Sequence, residues 1–86
     1  MDNQNGNLRV TIKPEEDARL PILEARIGRE WRQFRKAFVK ELIKDGMLER
    51  AVKDTALQCV RVLHEYQNAG HNPDQGREAI IPLIRP

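Results

Sequence analysis

The residues of this chain with reactive chemistry are few: one cysteine, Cys59, and two histidines, His64 and His71. His64-Glu65-Tyr66-Gln67-Asn68 begins like a zinc-protease helix, in which a second histidine four residues on turns both imidazoles toward one metal. Asn68 stands in that place and is a poor zinc ligand, so no metal site is expected. Cys59 and His64 are five residues apart, about 140° around a helix, and point in different directions. They do not form a nucleophile and its base. Cys59 falls midway along an apolar row, where a free thiol behaves as a small buried hydrophobe. His64 falls on the polar side of the same helix and is expected to face solvent. His71 lies in a Gly-His-Asn-Pro loop with no visible partner. No catalytic residue, cofactor or metal is assigned on these residues, and no enzyme is expected.

The basic residues are the stronger candidates. Residues 19–53 carry ten basic and five acidic groups, although the whole chain has a net charge of only +2. On a helix over residues 21–44, Arg26, Arg29, Lys36, Lys40 and Lys44 project within about 80° of one another. Arg32 borders that face, and Arg35 lies nearer the apolar edge. Such a row, about 27 Å long, could follow the phosphates of a nucleic acid, with the arginines gripping bidentately. The plainer reading is a solvated outer face, which every amphipathic helix has.

Two elements must carry these residues. Residues 21–44 and 47–69 are long amphipathic stretches separated by Asp45-Gly46, and predict an antiparallel helical hairpin. In the first, Leu20, Leu23, Ile27, Trp31, Phe34, Phe38 and Leu42 recur at 3, 4, 4, 3, 4, 4, which keeps one apolar face nearly straight. Gly28 is a small residue that lets another helix come close. In the second, Leu48, Val52, Thr55, Cys59, Val62, Tyr66 and Ala69 form a heptad seam. Leu57 and Val60 lie off that seam. Gly46 suits the left-handed position after a helix end.

The flanks are shorter. Residues 1–7 are polar and expected to be disordered. Leu8, Val10 and Ile12 alternate with polar residues, so 1–13 reads as an extended arm. It would lie on the helices or pair with a second chain. Pro14-Glu15-Glu16-Asp17 reads as a helix first turn, kept short by Pro21. Asn72-Pro73-Asp74-Gln75 opens a third helix with cap, proline and capping box in place. Pro82 is expected to end it, leaving an apolar tail of Ile80, Ile81, Leu83 and Ile84. The fold class is all-α, with residues 14–86 as one small helical domain.

A chain of 86 residues has a thin core, burying roughly 60–65% of its unfolded surface. A single cysteine cannot form an internal disulfide, which points to a reducing cytoplasm. The N-terminal residues do not resemble a signal peptide, and no apolar run approaches the ~20 residues that span a bilayer. A membrane-surface role for the first helix is disfavoured because its apolar face has a matching seam. Helices of about six turns are too long for a helix-turn-helix reader.

Two helices sharing one seam cannot enclose a core. Leu57, Val60, Ile80, Ile81, Leu83 and Ile84 then remain as candidates for self-association into a homodimer. The expected function is a non-enzymatic interaction or assembly module. The alternative is an accessory protein that binds nucleic acid through Arg26, Arg29, Arg32, Lys36, Lys40 and Lys44.

Overall fold

The computed structural model describes residues 11–85. Residues 1–10, and with them most of the expected arm, lie outside the described residues. The described chain is all-α, with no strand: a 3-10 turn at Pro14–Glu16, then α1 (Leu20–Phe34), α2 (Lys36–Lys44), α3 (Leu48–Asn68) and α4 (Pro73–Ile84).

Local chemistry sets most boundaries. Pro14 opens the 3-10 turn, and the Glu16 carboxylate accepts from the Lys13 backbone N–H. Asp17 then ends the turn in extended conformation and accepts from the Arg19 N–H at 2.8 Å, an Asx turn that leads into α1. α2 and α3 both end in Schellman geometry. Gly46, at φ 69°, donates to Ile43 while Met47 donates to Leu42; Gly70, at φ 85°, donates to Gln67 while His71 donates to Tyr66. The Tyr66 and His71 rings pack 4.9 Å apart across the second of these ends. Asn72 caps α4 through the Gln75 N–H, and Gln75 returns a bond to the Asn72 N–H, both at 3.0 Å.

α3 is the central element, packed against α1, α2 and α4. α1 contributes Leu20, Leu23, Ile27 and Trp31 to the core, and α4 contributes Ile80 and Ile84. A Cβ on Gly76 would come within 3.1 Å of the Leu63 side chain, which shows how closely α4 approaches α3.

Four expectations are corrected. The helix expected over residues 21–44 is interrupted at Arg35, whose ψ of 50° is not helical. Of the expected apolar stripe, Leu42 still packs partly against the core beyond the break, but Phe38 beyond it and Phe34 at the end of α1 do not. Val39 turns into the core, while Phe34 and Phe38 are 53% and 36% exposed. The α3 seam also has a different phase. Its buried residues are Ala56, Cys59, Val60, Leu63 and His64, and Ala69 is exposed. Neighbours on two sides make a broad inner face centred between the expected seam and Val60.

His64 is buried rather than solvent-facing. Finally, Pro82 does not end α4, which runs on to Ile84. An interior proline costs about 3 kcal/mol, but burying Ile80 and Ile84 returns about 1.5–3 kcal/mol each.

Candidate interaction surface

The break at Arg35 divides the basic series. Arg26 bonds Glu30 at 2.9 Å, and Arg32 folds back onto the Gly28 carbonyl at 3.2 Å. Arg29 stands exposed on α1. Lys36, Lys40 and Lys44 lie four apart on α2 and share its outer face. These four make no ion pair among the described residues.

The self-association set is placed largely inside the chain. Val60, Ile80 and Ile84 are buried in its own core, and Leu57 and Leu83 pack partly against it. Ile81 is the member left exposed, at 46%. α4 supplies the cover that a second copy was expected to provide.

Two polar clusters were missed in the sequence. In the first, Asp17 is buried and takes four bonds. Arg19 donates from its backbone N–H and Nε to Oδ1, at 2.8 and 3.0 Å, and from Nη2 to Oδ2 at 2.7 Å. His64 Nε2 lies 2.7 Å from Oδ2. The Arg19 guanidinium, together with the backbone and His64 bonds, holds the Asp17 carboxyl well below the usual carboxylate range against the opposing effect of burial. An ionised carboxylate has no proton to give, so His64 Nε2 is the donor. The cluster ties the start of α1 to α3 and leaves the carboxylate's lone pairs occupied. No signal in the sequence marked it, because Val60, one turn before His64, lies off the expected seam and only the structure shows that row to be buried.

The second cluster is aromatic and cationic. Trp31 is buried and meets Phe38 edge-on at 5.2 Å. The Arg35 guanidinium lies 4.0 Å from the Phe38 ring centre and 5.5 Å from that of Trp31. Arg85 lies 4.1 Å from the Phe34 ring centre and donates to Glu30 at 2.7 Å. Arg26 and Arg85 together hold the Glu30 carboxyl below its ordinary value, Arg26 having the larger effect. Ile81 is four residues before Arg85 and shares its flank of α4. Phe38 and Phe34 are thus exposed rings each beside one guanidinium group, Arg35 and Arg85 respectively, and Ile81 is exposed one turn before Arg85.

A groove of about 630 Å³ between α1 and the α3–α4 turn has an apolar floor that includes Leu23, Leu63 and Ile80. Its three arginines are already engaged: Arg19 with Asp17, Arg26 with Glu30 and Arg77 with Asp74. Cys59 is fully buried, and burial pushes its thiol pKa up, away from the reactive thiolate. Among the described residues no cluster of three metal-ligating side chains occurs, and no helix is long and apolar enough to cross a membrane. Comparison of the chain with protein-family models, curated proteins and solved structures finds no match.

Proposed function

We propose that this chain is a non-enzymatic protein-interaction module, a single helical domain in which α1–α2 and α3 form the two arms of a hairpin. It docks its partner through Phe34, Phe38 and Ile81. The observation that carries this reading is the pair of phenylalanines beside the Arg35 break, 53% and 36% exposed in a chain that buries Trp31 and Ile27 almost completely. Aromatic residues and arginine are the types enriched at the centres of protein interfaces. Self-association is one form of this reading. It would use the same surface, since Val60, Ile80 and Ile84 are spent internally. The lone cysteine suits a reducing compartment such as the cytoplasm.

A photo-crosslinking amino acid placed at position 34 or 81 in cells should trap a polypeptide, and one at position 54 should not. Adducts with nucleic acid alone, or equal adducts at all three positions, would remove the reading. Light scattering at micromolar concentration separates the forms: a mass near twice 10.0 kDa means the partner is a second copy.

The second reading, nucleic-acid binding, is favoured by the lack of ion pairs at Arg29, Lys36, Lys40 and Lys44 among the described residues. Four phosphate contacts would give a log–log salt slope of roughly −3 to −4. Charge reversal at Arg29 and Lys36 should flatten that slope by about two contacts.

A further inference from the structure

The charges around Phe34 and Phe38 restrict what can dock there. Three guanidinium groups, Arg26, Arg35 and Arg85, stand against one carboxylate, Glu30. Both Glu30 oxygens are already occupied, Oε2 by Arg26 at 2.9 Å and Oε1 by Arg85 at 2.7 Å. Arg35 has no carboxylate partner among the described residues, and its charge rests against the two rings. Glu41, one turn beyond Phe38, and Glu78, one turn before Ile81, lie at the margins. Residues 30–44 nevertheless carry five basic and two acidic groups, so the surrounding field is positive.

This arrangement disfavours two occupants. A second copy related by a two-fold axis would set this basic surface against itself, and like charges across an interface repel. A single-stranded nucleic acid would need free ring faces on which to stack its bases. Here a guanidinium group lies 4.0 Å from the Phe38 ring centre and another 4.1 Å from that of Phe34, so neither ring can be sandwiched between bases and each keeps one face at most. The open sides of the rings and the Ile81 side chain suit aliphatic and aromatic side chains. Arg35, with no carboxylate partner among the described residues, suits a carboxylate in bidentate geometry, and Arg85, whose Nε is taken by Glu30, still has its Nη groups to offer a second.

We infer that this surface takes an acidic amphipathic helix, with apolar side chains on Phe34, Phe38 and Ile81 and carboxylates on Arg35 and Arg85. The inference rests on the interaction reading and names its partner's chemistry.

The test uses the full chain and a labelled synthetic amphipathic helix of about five turns, with Leu and Phe on one face and Glu on the other. Versions with Gln or Lys in place of Glu leave the protein untouched. Binding is read by fluorescence anisotropy. The Glu peptide should bind, the Gln peptide about tenfold more weakly, and the Lys peptide not at all. Phe34→Ala with Phe38→Ala should abolish binding. Arg35→Gln with Arg85→Gln should make the Glu and Gln peptides equivalent, with circular dichroism as the check that each variant is folded.

Equal binding of the Glu and Gln peptides overturns the acidic partner and leaves the interaction reading standing. A dimer that dissociates on Phe34→Ala does the same. If an oligothymidylate of about 16 nucleotides binds through Phe34 and Arg35 while no peptide does, both the inference and the interaction reading fall.

Discussion

The indole nitrogen of Trp31 donates to the carbonyl oxygen of Ile84 at 2.9 Å, joining the last turn of α1 to the last residue of α4 across 53 positions of sequence. The carbonyl belongs to a helix end, where the last four C=O groups have no partner within the helix. Trp31→Phe keeps most of the ring volume and removes the donor. A buried acceptor left without a partner costs about 1–3 kcal/mol, which urea denaturation should report as a lower midpoint with an unchanged slope.

Asp17 should make stability depend on pH at the acid end. Its carboxyl pKa is depressed in the folded state, so its contribution is complete above the unfolded value of about 3.9 and is lost as pH falls below it toward the folded value. Asp17→Asn should cost about 2 kcal/mol at neutral pH, a figure discounted because Arg19 is 44% exposed. The difference between the two proteins should shrink steadily below about pH 4 in chemical denaturation. A difference that stays constant down to pH 2 would show that the charge contributes nothing.

Two glycines in helical surroundings should respond oppositely to alanine. At Gly28 the new Cβ meets the far end of the flexible Arg32 side chain at 2.9 Å, which can swing aside. Alanine's better helix propensity should then raise stability by about 0.5–1 kcal/mol. At Gly46 nothing lies within 4 Å, yet φ is 69°. Gly46→Ala should cost about 1 kcal/mol from backbone strain alone. Thermal melts should move up for the first and down for the second.

Phe34 and Ile27 make a pair on one helix with different roles. Ile27 is fully buried, so Ile27→Ala should cost about 2–5 kcal/mol. Phe34 is 53% exposed, and Phe34→Ala should cost only about 1 kcal/mol, mostly its contact with Arg85. Similar losses of thermal stability for both would mean that Phe34 is a core residue.

The legible parts of this fold were those written in local chemistry. Asn72-Pro73-Asp74-Gln75 is a capping box in sequence and in structure. Gly46 and Gly70 mark helix ends because few other residues tolerate positive φ. The stripe Leu20, Leu23, Ile27, Trp31 is buried as its spacing requires. The break at Arg35 was not legible, since neither glycine nor proline marks it. The phase of α3 was not legible either. Its pattern admits a seam at Val52–Cys59–Val62 or a face around Val60, and the arrival of α4 on a second side decides between them. Of the candidate surface, Arg35 was visible as part of the basic series, whereas Arg85 lies outside it. Their placement over Phe34 and Phe38 depends on that break and on α4 continuing through Pro82.

Trp31 is the chain's one tryptophan, and this gives the edge-on contact with Phe38 a practical consequence. Its indole is shielded from water at 3% exposure, yet it lies one ring away from the exposed surface and 5.5 Å from the Arg35 guanidinium. An occupant that draws Arg35 toward its own carboxylate changes the field and the quenching at the indole. Detachment of α4 instead frees the indole N–H and lets water in, shifting emission to longer wavelength. The protein therefore carries an intrinsic fluorophore whose intensity and colour distinguish an occupied surface from an undocked C-terminal helix, without any added label.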